Sequence, residues 1–142
     1  MKTMKFVLAS VSLLFLYDAA YACRCVPSKP SSDTSPYAAV FSGKVVEAGF
    51  KQLPNGVWQD TTTFEVDRVW KGEAKKRITL LSRLTSCDFV FSKGESWLVF
   101  ASTLSGGHGL TTSQCSRTGL ISERKKDLGL LGEGKVPAEG KT

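Results

Sequence analysis

The sequence predicts an all-β protein, a small closed barrel, and three observations carry that expectation. Short segments rich in β-branched and aromatic residues recur along the chain, and glycine, proline and asparagine turn residues separate them. One short stretch near the end has helical spacing, and no internal repeat is present.

The first segment reads as a leader rather than as part of the fold. Lys2 and Lys5 precede an apolar run from Phe6 to Leu16, and Ala20-Tyr21-Ala22 places small residues where a signal peptidase reads. That run is shorter than the roughly 20 residues a membrane helix needs, so a secreted protein with no membrane span is expected. Cleavage after Ala22 assigns residues 1–22 to the leader and makes Cys23 the first residue of a chain of about 120. One domain with one modest core suits that length. Removal of Lys2, Lys5 and Asp18 takes the 19 basic and 13 acidic residues to 17 and 12, a net charge of +5. On an exported protein that charge suits anionic glycans, whereas nucleic acid is not an expected partner.

The elements of the mature chain follow in order. Val26 to Pro36 is rich in Pro, Ser and Asp and should run extended without helix. Tyr37 to Ala48, with Val40, Phe41, Val45 and Val46, suits a strand. Gly49 to Gly56 is a connection ending in Asn55-Gly56, a strong hairpin signal. The return strand, Val57 to Trp70, sets Thr62, Phe64 and Val66 on one face and Thr63, Glu65 and Asp67 on the other. Its alternation slips at Arg68-Val69-Trp70, where a bulge would let a long strand bend around a barrel. Lys71-Gly72 turns the chain into a third strand, Arg77 to Ser82. Asp88 to Phe91 and Ser96 to Ser102 read as a hairpin across Ser92-Lys93-Gly94-Glu95. Leu110 to Cys115 closes the barrel after Gly106-Gly107-His108-Gly109. Ser122 would cap a short helix running to Leu131, with Ile121, Lys125, Leu128 and Leu131 near one face. The domain therefore spans 23–131, and 132–142, with little to bury, should be a disordered tail.

All four cysteines, Cys23, Cys25, Cys87 and Cys115, lie in the mature chain, and an even count in an exported domain reads as two disulfides. A Cys23–Cys25 ring would be strained, so one of the two reaches Cys87 and the other Cys115. A zinc site of the protein's own is disfavoured, because His108 is the only histidine and no Cys-x-x-Cys pair occurs. A lipid anchor on Cys23 is disfavoured too, since Ala20 stands where lipoprotein signals place a branched aliphatic residue. Trp70, Trp97 and Phe100 suit packing, and Lys75-Lys76-Arg77 and Arg124-Lys125-Lys126 suit solvated surface. Nothing has the pattern of an enzyme: there is no Gly-x-Ser-x-Gly and no His-Glu-x-x-His.

Cys23-Arg24-Cys25-Val26-Pro27 at a mature N-terminus resembles the opening of the tissue inhibitors of metalloproteinases. The resemblance runs on through Val40-Phe41-Ser42-Gly43-Lys44-Val45-Val46 and Phe64 to Gly72, then through Cys87, Trp97 to Ala101 and Cys115. It implies a short single-domain form, an OB-type five-stranded barrel of the netrin-like class, with pairings Cys23–Cys87 and Cys25–Cys115. It also implies a monomer without a cofactor, secreted and not an enzyme, whose partners are zinc metalloproteinases. The amine and carbonyl of Cys23 would chelate the zinc of the target. Arg24 would enter the pocket beyond the scissile bond, and Cys25, Val26 and Pro27 would line the next subsites. Thr85 and Ser86 would touch the far side of the cleft. Arg24 departs from the Thr or Ser common in the family, and the third disulfide and the second, cysteine-rich lobe are lacking. The competing reading is a non-inhibitory netrin-like module that binds glycans or secreted proteins.

Overall fold

A computed structural model describes residues 23–139; the expected leader, residues 1–22, and the last three residues lie outside it. Six strands and one helix follow in order: β1 (Ala39–Gln52), β2 (Trp58–Lys71), β3 (Arg77–Leu81), β4 (Ser96–Thr103), β5 (Leu110–Thr111), β6 (Gly119–Leu120) and α1 (Lys125–Leu131). The sheet runs β1-β2-β3-β5-β4 and returns to β1, which closes the expected five-stranded barrel; β6 flanks β4. All pairings are antiparallel except β3 with β5, joined by the single pair Leu80 and Leu110.

β1 and β2 are long because each serves two neighbours, and they bend to do so. Register shifts fall between Val40 and Phe41, between Ser42 and Gly43, and between Val45 and Glu47. The first two leave Trp70 and Asp67 as extra residues on β2, so bulges flank Arg68-Val69 close to where the alternation slipped. Gly43 is required at this crossing: a Cβ there would sit 2.5 Å from the Glu65 carbonyl oxygen. The hairpin turn places Gly56 at φ 82°, and Asn55 Oδ1 accepts the Val57 amide at 3.0 Å, which is why Asn-Gly occupies it.

Alternation along β1 and β4 divides the core in two. Phe41, Val45, Phe64, Val66, Val69, Ile78, Leu80, Trp97 and Val99 fill the barrel, where Phe41 and Phe64 meet edge to face at 5.5 Å. Val40, Leu98 and Phe100 point outward and are covered by Tyr37, Trp70, Ile121 and, from α1, Leu128 and Leu131. The helix thus closes the outer face of β1 and β4. No helix among the described residues is long and apolar enough to cross a membrane.

Four sequence expectations are corrected. Asp88 to Phe91 is not a strand; Phe89 and Phe91 turn their rings onto Trp97, at 5.3 and 4.8 Å, while Val90 points to solvent. The closing strand stops at Thr111, because hydroxyl bonds take over from the ladder beyond it. Ser122 does not cap the helix, which begins after Arg124 without a side-chain cap. The supposed tail is docked over its first half. Val69 and Lys135 exchange backbone bonds at 2.8 and 2.7 Å, Trp70 Nε1 donates to the Gly132 carbonyl, and Pro137 is buried. Gly134 permits this, since a Cβ would lie 2.9 Å from the Trp70 ring.

Candidate functional site

The chain that precedes β1 lies on the barrel as an extended segment with little burial. Arg24, Cys25, Val26 and Pro27 are all exposed, Val26 to 89 %, and Cys23 is half-buried. Burial cannot fix such a segment; cross-links do. Cys23 is bonded to Cys87 and Cys25 to Cys115, with Cα–Cα separations of 5.2 and 4.9 Å. The two bridges pack together, Cys23 Sγ lying 3.7 Å from both Cys25 Sγ and Cys115 Sγ. They close separations of 64 and 90 residues, and in the chain-entropy picture each contributes about 4 kcal/mol. The sulfurs of Cys23, Cys87 and Cys115 cluster within 4.8 Å, but all belong to disulfides and offer no thiolate to a metal.

Cys87 brings a second exposed element alongside. Thr85 and Ser86 are exposed at the crest of the loop that leaves β3, and the half-buried Asp88 organises that loop. Asp88 Oδ2 accepts from the Thr85 amide and the Ser82 hydroxyl, both at 2.8 Å, and the Ser82 hydroxyl accepts the Leu84 amide at 3.0 Å. From the other side, the Gln114 amide donates to the Cys87 carbonyl at 2.7 Å, and Gln114 Nε2 to the Asp88 carbonyl at 3.1 Å. These bonds hold Leu84 at φ 56°, the only non-glycine among the described residues in the left-handed region. That conformation costs on the order of 1 kcal/mol in a residue with a side chain. It leaves Leu84 63 % exposed, next to the equally exposed Trp58, and both line a shallow groove with Val57 and Leu104.

The structure brings together every site residue expected from the sequence. Cys23 to Pro27 form one ridge, exposed from Arg24 onward, and Thr85 and Ser86 stand on the loop bonded to it through Cys87. Sequence reasoning missed what supports them. Asp88 gave a partial signal, as a carboxylate three residues after Thr85, the spacing of a local side-chain-to-backbone bond. Arg117 gave none. Its guanidinium is 6 % exposed and 3.1 Å from Asp127 Oδ1, which is itself buried, and its Nη2 donates to the Asp33 carbonyl at 2.6 Å.

Downstream, Lys71 Nζ donates to the carbonyls of Thr34 and Ser35 at 3.0 and 3.1 Å. The Asp33 carboxylate is held below its ordinary range, first by the Ser35 backbone N–H, then by the Ser35 hydroxyl, with help from Arg117 and Lys71. The arrangement can present a rigid, solvent-facing edge of main chain and side chain to a concave partner. No protein-family model matches this chain, and no curated protein matches it.

Proposed function

We propose that the processed, exported protein is a stoichiometric inhibitor of zinc metalloendopeptidases that acts through the Cys23 terminus. One observation carries the reading: an extended segment whose side chains from Arg24 to Pro27 lie in water is nevertheless fixed by two adjacent disulfides, at Cys23 and Cys25. A fold gains little by ordering an exposed segment so firmly, but a ligand gains a great deal. Rigidity removes the ordering cost that a flexible peptide meets on binding.

The chemistry follows from the groups at the head of that strand. Once residues 1–22 are removed, Cys23 carries a free α-amino nitrogen beside its own carbonyl oxygen. A catalytic zinc keeps one position open for the water it activates. The amine and carbonyl together chelate that position and displace the water. Hydrolysis does not follow, because no scissile bond faces the metal. Only the neutral amine is a ligand, and an ordinary α-amino group has a pKa of about 7.7 to 8.0, so the active form is accessible near neutral pH. Inhibition should weaken as pH falls below that range.

Arg24 then occupies the pocket beyond the scissile position, Val26 and Pro27 lie along the adjoining subsites, and Thr85 and Ser86 flank the other side. A long cation at Arg24 selects targets with a deep or acidic pocket. The basic surface suits retention on anionic glycans as a secondary property.

One added alanine before Cys23 tests the proposal. It moves the amine off the metal without touching either disulfide. Inhibition of a zinc endopeptidase should fall at least about 100-fold, with thermal stability unchanged within about 0.5 kcal/mol. Retained inhibition would exclude the mechanism.

A further inference from the structure

The ridge has a far end as well as a near one, and the same short segment holds both. Cys115 carries the disulfide to Cys25, and Arg117, two residues on, reaches the carbonyls at the other end of the span. Its Nη1 donates to the Ser31 carbonyl and its Nη2 to the Asp33 carbonyl. Behind these bonds the guanidinium lies 4.2 Å from the centre of the Phe100 ring, with Tyr37 at 5.7 Å, and pairs with Asp127 of α1. Arginine suits this position because its planar fork can meet two carbonyls, a carboxylate and a ring face at once.

The mount for both anchors is rigid. Thr112 Oγ1 donates to the Phe100 carbonyl at 2.9 Å and lies 2.8 Å from Thr118 Oγ1, which receives the Phe100 amide at 2.8 Å. Ser116 Oγ donates to the Ser113 carbonyl and accepts the Thr118 amide. Residues 112–118 are thus pinned by hydroxyls to the centre of β4. Between the anchors, Val26 to Pro30 is exposed, and behind it lies a cavity of about 230 Å³ lined in part by Gln114, Ser116 and Arg124. With the side chains of Val26 to Pro30 in water rather than packed, the path of the span depends on its two ends.

We infer that Arg117 is a positioning residue of the ridge: with Cys115 it holds residues 25–33 at both ends and thereby sets how Val26 and Pro27 meet a partner. The functional arm of this inference rests on the inhibitor reading; the structural arm does not. A buried ion pair replaced by apolar residues of similar volume often leaves stability intact, whereas removal of one partner does not. The informative variant is therefore Arg117→Leu with Asp127→Leu, which keeps contact with Phe100 and deletes both carbonyl bonds.

The experiment measures backbone amide order parameters of residues 28–35 other than Pro30 in the processed protein, and inhibition of a zinc endopeptidase that the wild type inhibits. Order at 28–33 should drop from about 0.85 to below about 0.6, while residues 34–35 stay ordered on Lys71. The inhibition constant should rise about ten-fold, chiefly through faster dissociation. Arg117→Lys keeps a cation against Asp127 but lacks the fork, so it should loosen 28–33 to a lesser degree; it decides the matter should the double variant not fold.

Unchanged order at 28–33 overturns the inference, and so does loosened order with an unchanged inhibition constant. A wild type that inhibits no zinc endopeptidase, beside a double variant that still loosens, removes the inhibitor reading and leaves the clamp. Wild-type inhibition beside unaltered variants removes the clamp alone.

Discussion

The barrel interior and the segment before β1 are ordered by opposite means. Inside, Phe41, Phe64, Val66 and Val99 are almost wholly removed from water, and apolar burial fixes them. Along residues 23–35 hardly any apolar surface is buried, and order comes from two disulfides, two cations on backbone carbonyls and one Asp-centred turn. The contrast teaches that a segment can be rigid and unburied at once when its anchors act on sulfur and main chain. Side chains fixed by burial are consumed by the fold. Those of the ridge remain available to another molecule.

Paired truncations break this comparison most directly. Phe64→Ala should cost about 3 to 5 kcal/mol by chemical denaturation, because the ring meets Phe41 and Phe91 in a closed interior. Val26→Ala should cost less than about 0.5 kcal/mol and yet weaken inhibition. A Val26→Ala protein with lost stability would show that the ridge is packed after all.

Asp88→Ala sharpens the comparison at its boundary. It removes the acceptor of the Thr85 amide and the Ser82 hydroxyl, so a loss of about 1 to 3 kcal/mol is expected, together with weaker inhibition through a displaced Thr85–Cys87 loop. Stability loss with unchanged inhibition would show that the loop does not reach the partner.

The smallest effect lies at Asp33. Its folded pKa is depressed, so its contribution is present above the unfolded value of about 3.9 and is lost as pH falls through the lower folded value. Titration of the Asp33 carboxyl by NMR should give a midpoint below that of an unperturbed aspartate. In the Arg117→Leu, Asp127→Leu protein the midpoint should rise only partway, because the Ser35 amide is the larger cause. A midpoint at the ordinary value would mean that the turn after the ridge is not formed.

Much of the barrel was legible in the chain because its signals are local. Asn55-Gly56 marked a hairpin, the slip near Arg68-Val69 marked bulges, and β-branched runs marked β1, β2, β3 and β4. Asp88 to Phe91 shows where such signals stop. Its alternation is real, with Phe89 and Phe91 inward and Val90 outward, but no strand among the described residues pairs with it. Alternation reports which way side chains face, not whether the backbone has a ladder partner. The docked chain after Gly132 escaped for a related reason: its backbone bonds go to Val69 and Trp70, more than 60 residues earlier.

Composition and periodicity by themselves determined an all-β barrel and its principal hairpin, and cysteine placement tied the segment that opens at Cys23 to Cys87 and Cys115. Only the tertiary structure decided what holds that opening. Arg117 meets Ser31 and Asp33 across more than 80 residues and Asp127 across ten, and Asp88 meets Gln114 across 26. A buried charge looks like any other arginine in a sequence, because its burial and its partners exist only after distant segments have been brought together.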